Sequence, residues 1–281
     1  MSDPLAYHNG DFLPLSQVRL SALDRGFLFG DGVYEVIPAY GGKPFRLNQH
    51  LARLENSLRA IRMEPPLSPR QWETILKELL QGQADQAIYM QITRGAAGKR
   101  DHAFPAVTNP TILAWATPMS DEIPQPAKAI THRDIRWQWC HIKAITLLAN
   151  VLLRQQAVDR GCQETILIRD GHVTEGAASN VFAIIDGIVV TPPTGPHLLP
   201  GITRDLVLEL ATGHGIENRE QNLPVEALTS AEEIWLTSST RELVPVVEVD
   251  GHPIGDGRPG PLWERMYRIF QSYKRTFRGL P

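Results

Sequence analysis

The chain has 281 residues, a formal net charge of −3, 42% hydrophobic and 21% charged residues, which suits one large globular domain or two ordinary ones. It contains no basic block interleaved with aromatics, no apolar run near the roughly 20 residues of a membrane helix, and no apolar signal region at its start, so nucleic-acid and membrane partners are not expected. Its two cysteines, Cys140 and Cys162, form no disulfide framework, which fits a reducing, cytoplasmic setting.

The first structural signal is Asn9-Gly10, a turn between strand-like runs. The same signal returns at Gly41-Gly42, Asp170-Gly171, Asp186-Gly187 and Asp250-Gly251, so the sheets are expected to be largely antiparallel hairpins. Gly30-Asp31-Gly32-Val33-Tyr34 looks like a dinucleotide fingerprint only superficially, because the third glycine is missing and no clear helix follows. Leu47, Leu51, Leu54, Leu58 and Ile61 then repeat at helical spacing, with Asn48 available as N-cap. Arg53 lies on this helix among polar neighbours, where it either clamps a phosphate bidentately or faces solvent. Residues 69–80 predict a second helix. Residues 89–93 alternate as a strand and run into a loop rich in glycine and cations. In an extended loop Arg100 and His102 point to the same side and can grip a carboxylate, whereas the bland alternative is a solvated, mobile loop. Residues 118–126 hold three prolines and divide the chain into a smaller N-terminal α/β domain (1–119), a linker (120–126) and a larger C-terminal domain (127–281). A small-ligand site is expected between the halves.

Lys143 stands out among six lysines. Lys43, Lys77, Lys99, Lys128 and Lys274 sit beside glycine, proline, charge or alanine, as surface lysines do, while Lys143 lies between Ile142 and the apolar Ile145, Leu147 and Leu148. An ammonium there is costly unless paired or neutralised. A Schiff base with an aldehyde cofactor neutralises it productively, and snorkelling from a half-buried strand is the alternative. A third helix is expected over residues 147–160, closed by Gly161. Glu175 follows the Asp170-Gly171 hairpin and precedes the small run Gly176-Ala177-Ala178-Ser179, which lets something flat approach closely. Its carboxylate either pairs with a protonated ring nitrogen or is an ordinary exposed glutamate. Gly201-Ile202-Thr203 opens a helix over residues 203–212, closed by Gly213, and makes either an anion site or a simple Thr203 N-cap. Thr237, Ser238, Ser239 and Thr240 end a strand with four hydroxyls, which hold a phosphate or merely form a turn. Residues 262–277 predict the last helix. No HExxH, CxxC or Walker-type loop is present.

Taken together these segments resemble the fold-type IV pyridoxal-phosphate enzymes, in particular their D-amino acid aminotransferase branch, over nearly the whole chain. The residues that carry the resemblance are Asp24-Arg25-Gly26, residues 29–36, His50-Leu51-Ala52-Arg53-Leu54, residues 134–137, Ile142-Lys143, Thr174-Glu175-Gly176, residues 179–182 and residues 201–205. The resemblance implies an α+β, two-domain fold with a pyridoxal 5′-phosphate-binding C-terminal domain. It implies transamination between a D-amino acid such as D-alanine and a 2-oxo acid such as 2-oxoglutarate. By this resemblance Lys143 is the Schiff-base lysine and proton shuttle, and Glu175 is the partner of the pyridine nitrogen. Arg53, Ile202, Thr203, Ser238 and Ser239 hold the phosphate, and Leu199 packs on the ring. Tyr34, Tyr89, Arg100 and His102 bind the substrate, the last two from the second subunit of a homodimer. Ala177-Ala178-Ser179 replaces a serine-rich run, Trp139 and His141 stand where charged residues are associated with the branch, and Arg241 adds a positive charge. The alternatives implied are a branched-chain L-aminotransferase or (R)-amine transaminase, an aminodeoxychorismate lyase, and a non-catalytic pyridoxal-phosphate-binding protein.

Overall fold

The computed structural model describes residues 3–80, 82–120 and 122–279. The chain divides into two units, Met1–Asp121 with Ile142–Thr146, and Glu122–His141 with Leu147–Pro281. The first unit is built on β1 (Leu5–His8), β2 (Asp11–Pro14), β3 (Gly32–Tyr40), β4 (Lys43–Pro44), β5 (Gln86–Thr93) and β6 (Thr111–Pro118). They form a wholly antiparallel sheet in the order β2-β1-β6-β5-β3-β4. After the short α1 (Arg25–Phe29), helices α2 (Leu47–Ala60) and α3 (Pro69–Leu79) supply its core. Leu51, Leu54 and Leu58 of α2 and Trp72, Ile75, Leu76 and Leu79 of α3 pack with Ile37, Ile88 and Met90 of the sheet. The helical spacing of the leucines therefore marks the buried stripe.

Two details of the helices depart from expectation or sharpen it. Asn48 does not cap α2, because Arg46 takes a left-handed conformation (φ 51°) and turns the chain directly into the helix at Leu47. Asn48 thus falls inside the first turn. Ser68 caps α3 in a reciprocal arrangement, accepting from the Gln71 amide while the Ser68 amide donates to Gln71 Oε1.

The segment with Lys143, expected within residues 127–281, groups with the first unit. It is clipped along the start of β3: the Tyr34 amide donates to the Lys143 carbonyl (2.9 Å), the Ile145 amide to the Gly32 carbonyl (3.1 Å), and Ala144 bridges Val33. Lys143 therefore sits on an irregular segment rather than on a strand.

The second unit carries β7 (Ala127–Arg133), β8 (Glu164–Arg169), β9 (His172–Gly176), β10 (Asn180–Ile185), β11 (Ile188–Thr191), β12 (Asn218–Glu220), β13 (Leu223–Pro224), β14 (Glu233–Ser238), β15 (Glu242–Val249) and β16 (His252–Pro253). Their order is β12-β11-β10-β14-β15-β7-β8-β9-β13, with β16 beside β15. Most pairs are antiparallel. The β7–β8 pair is parallel because α4 (Leu148–Asp159) lies between them in the chain, and β15–β7 and β11–β12 are parallel as well. The remaining helices are α5 (Ile202–Gly213), α6 (Ala227–Ser230) and α7 (Pro261–Arg278). Helix α5 packs against β14 and α7. It starts one residue earlier than expected and includes Gly213, and the chain turns at Gly215 instead (φ 65°).

All five Gly-containing turns are hairpins. Asn9, Asp170, Asp186 and Asp250 have φ near 50° and are each followed by a glycine of positive φ, the pairing that a tight two-residue hairpin requires. None of the described helices is long and apolar enough to cross a membrane.

Candidate active site

In the first unit Lys143 is only half-buried, and its Nζ lies 4.2 Å from the centroid of the Tyr34 ring. Its amide donates to Ser57 Oγ at 3.2 Å. The lysine that is truly buried is Lys274, 5% exposed, which donates to Glu242 Oε1 at 2.9 Å. Apolar neighbours in sequence thus single out Lys143, but three-dimensional burial belongs to Lys274, whose helix face is not visible from its immediate neighbours. Tyr34 stacks with Tyr89 at 5.9 Å. Tyr89 donates to Gln91 Oε1 at 2.7 Å, and burial, reinforced by Tyr34, pushes its hydroxyl up to about 12, so it stays protonated.

Arg53 does not face solvent. It is 7% exposed, and its Nε and one terminal nitrogen donate to the two oxygens of Glu35, each at 2.8 Å. His50 Nδ1 lies 2.8 Å from Glu35 Oε2; the carboxylate can only accept, so Nδ1 carries the proton. Burial pushes Glu35 up, but the Arg53 charge and the Arg53 and His50 hydrogen bonds outweigh this and hold it well below its ordinary 4.5. Because the folded value lies below the unfolded one, Glu35 stabilises the fold above about pH 4.5, and that contribution drains away as pH falls towards the folded value. Glu35→Gln is expected to cost about 3 kcal/mol at neutral pH, as for a broken buried ion pair. Chemical denaturation as a function of pH tests this: the gap to wild type should narrow in acid, and a gap of constant size would refute the ionised Glu35.

Arg100 and His102 are exposed in the single chain and meet on one aromatic ring. The Arg100 guanidinium lies 5.1 Å from the Phe29 centroid, and the His102 and Phe29 rings are also 5.1 Å apart. Their loop is not loose. The buried Arg25 donates to the carbonyls of Asp101 (2.6 Å), His102 (3.2 Å) and Ala103 (3.2 Å), and Asp31 holds Arg25 from the other side at 2.8 Å.

In the second unit Glu175 is buried, and β9 bulges at this point. Ile166 pairs with Gly176 and Ile168 with Val173, so Thr174 and Glu175 together oppose Leu167. Both side chains are buried, Thr174 at 8% and Glu175 at 4%, as β9 is covered on both faces from Val173 to Gly176. One Glu175 oxygen accepts from Arg136; the other accepts from Asn180 Nδ2 (3.1 Å) and the Leu199 amide (3.0 Å). Burial pushes the Glu175 carboxyl up, and Arg136 and the Leu199 amide oppose that push. Asp134 holds Arg136 in turn, through Nε and a terminal nitrogen at 3.0 Å each.

Helix α5 begins directly after Leu199 and Pro200. Gly201 is its N-cap and no side chain caps it, so Thr203 is not the cap and its hydroxyl is available to a ligand. A Cβ at Gly201 would come within 1.9 Å of Asn180 Oδ1, so only glycine lets the Asn180 amide, which also donates to the Leu199 carbonyl (2.9 Å), pack against the helix start. Ser238 and Ser239 lie half-buried at the end of β14. Beside them Thr237 Oγ1 is buried with no hydrogen-bond partner. Thr237 pairs with Asn180 across the sheet, so its hydroxyl faces the side of the sheet on which Asn180 meets Glu175. An orphaned hydroxyl there, an uncapped helix start and a buried carboxylate fit a flat, anionic, nitrogen-bearing ligand.

Arg136, Asn180, Glu35, His50 and Arg25 carry no individual role in the sequence reading, although each lies within one of the segments on which the resemblance rests. Their roles depend on partners 5 to 78 residues away, which spacing alone does not reveal.

The family profile for amino-transferase class IV matches residues 32–249. The D-alanine aminotransferase of Bacillus licheniformis is 39% identical over 269 residues, covering 94% of this chain and 95% of that protein. The D-alanine aminotransferase of Staphylococcus haemolyticus is 38% identical over 94% of this chain and 96% of its own length. Among solved structures, the branched-chain amino acid aminotransferase from Escherichia coli superposes with a TM-score of 0.88 at 28% identity, covering 96% of this chain and 94% of that one. The T.th. branched-chain amino acid aminotransferase complexed with N-(5′-phosphopyridoxyl)-L-glutamate gives 0.88 at 27% identity, covering 98% and 95%. The chain belongs to the amino-transferase class IV family.

Proposed function

We propose that the protein is a D-amino acid aminotransferase dependent on pyridoxal 5′-phosphate, moving the amino group of a donor such as D-alanine to a 2-oxo acid such as 2-oxoglutarate. The observation that carries this is the 39% identity to a D-alanine aminotransferase over 94% of the chain. When bound, the coenzyme supplies an aldehyde for the amino group and a protonated ring that accepts electrons. Lys143 would hold the coenzyme through Nζ, and its amine would move the proton at the substrate Cα. Glu175, its carboxylate held by Arg136 and Asn180, would keep the pyridine nitrogen protonated. Arg53, the Ile202 and Thr203 amides, the Thr203 hydroxyl, Ser238 and Ser239 would hold the phosphate, and Leu199 would pack on the ring.

Tyr34, Arg100 and His102 bind the substrate carboxylate, the last two reaching in from a second subunit, and Tyr89 also binds the substrate. A homodimer is supported by apolar residues that a monomer would leave in water. Leu148, Val151, Leu152 and Val158 form one stripe on α4 and are 71%, 59%, 50% and 49% exposed, and Phe27 is 77% exposed. Two free cysteines accord with a reducing, cytoplasmic location.

The similarity to branched-chain enzymes favours a second reading, L-amino acid transamination. A donor panel of D-alanine, L-leucine and simple amines with 2-oxoglutarate separates them: D-alanine is expected to lead, and preference for L-leucine would overturn the proposal. Arg100→Ala should raise KM for D-alanine about tenfold or more, the loss of a charge-assisted contact, while leaving simple amines within about twofold. Equal effects on both donor classes would remove Arg100 from the carboxylate site.

A further inference from the structure

Glu164 opens β8, is fully buried (0% exposed), and has no part in the chemistry above. Its Oε1 accepts from the Thr165 amide at 3.1 Å. Its Oε2 accepts from Ser179 Oγ at 2.9 Å and from a terminal nitrogen of Arg241 at 2.7 Å. A carboxylate taken this far from water needs its cation and its hydrogen bonds together. Those two partners belong to two different pieces of the site. Ser179 closes the loop that follows Glu175: its carbonyl accepts from the Gly176 amide at 2.7 Å, and a Cβ at Gly176 would come within 2.3 Å of its hydroxyl oxygen. With alanine at 177 and 178, Ser179 brings the one hydroxyl of that loop. Arg241 belongs to the turn between β14 and β15, and its amide donates to Ser238 Oγ at 3.3 Å. The next residue, Glu242, takes a left-handed φ of 56° and is buried against α7, accepting from Gln271 (2.5 Å) and Lys274 (2.9 Å). The turn is thereby anchored on one side by α7 and on the other by Glu164.

We propose that Arg241, Glu164 and Ser179 form a positioning bridge that ties the hydroxyl turn of Ser238 and Ser239 to the loop carrying Glu175, so that Arg241 sets coenzyme affinity without touching the coenzyme. The inference rests on the assignment of Ser238 and Ser239 to the coenzyme phosphate. The bridge joins the turn that would hold the coenzyme phosphate to the loop that would meet its pyridine nitrogen, through one buried carboxylate.

The test is equilibrium binding of pyridoxal 5′-phosphate to the apo forms of wild type, Arg241→Ala and the double variant Arg241→Ala/Glu164→Gln, with melting temperatures of the same apo proteins. Arg241→Ala is expected to weaken binding about tenfold, the size of a charged hydrogen bond reduced for the part-exposed arginine. The double variant should stay within about threefold of Arg241→Ala, because the amide at 164 removes the abandoned charge but leaves the turn and the loop untied. Binding by Arg241→Ala within twofold of wild type, or a return of the double variant to wild-type affinity, overturns the bridge. So does a fall in apo melting temperature that accounts for the whole loss of affinity. Should Arg241→Ala not fold, Arg241→Gln is held to the same criteria. Failure of wild type to bind the coenzyme would instead remove the coenzyme assignment itself.

Discussion

Lys143→Ala is expected to lower transamination by about 10^4-fold or more while leaving the fold intact, since covalent attachment and proton transfer both leave with the amine. No other lysine is placed to replace it: Lys43, Lys77, Lys99 and Lys128 are exposed, and Lys274 is locked to Glu242. The fold should barely notice. The segment is held by main-chain bonds, from Tyr34 to the Lys143 carbonyl and from the Lys143 amide to Ser57, and the side chain contributes a cation–π contact with Tyr34, together worth less than about 1 kcal/mol on truncation. Turnover measured beside a melting curve checks both halves. Turnover within tenfold of wild type would contradict the assignment.

On the proposed role of Glu175, Glu175→Gln should lower turnover by about 10^3-fold even at saturating coenzyme, because an amide would not hold a proton on the ring nitrogen. The expected loss of stability is smaller than usual for breaking a buried ion pair. Arg136 keeps two hydrogen bonds to Asp134, and Asn180 and the Leu199 amide can still meet the amide oxygen, so the cost is about 2 kcal/mol rather than the 3–5 kcal/mol of an abandoned charge. Saturation kinetics and denaturant unfolding on the same preparation separate the two effects. A variant with wild-type turnover would displace Glu175 from the coenzyme, whatever its stability.

What was legible in the sequence was local. Four Asn-Gly and Asp-Gly pairs and Gly41-Gly42 announce hairpins because few other residues tolerate left-handed backbone, and all five hairpins are present. Leucines at helical spacing mark the buried face of α2 for the same kind of reason. The fold-type IV resemblance and the D-amino acid branch come from many short segments in one order, and the class IV profile and the D-alanine aminotransferase relatives agree with them. Long-range partnership was not legible. Arg53 could be read as facing solvent, but it is bidentate to Glu35, 18 residues away. Glu175 is buried because both faces of β9 are covered, and the carboxylate's partners Arg136 and Leu199 come from distant segments. Lys143 falls in the later part of the chain, yet backbone bonds to β3 group it with the earlier one.

The most direct test of the account is the visible absorption spectrum of the purified protein, reconstituted with pyridoxal 5′-phosphate, before and after addition of D-alanine with no acceptor. The account predicts a visible band from coenzyme bound to Lys143 that fades when D-alanine is added. A protein that shows no such band after reconstitution, or a band that D-alanine leaves unchanged, would contradict it.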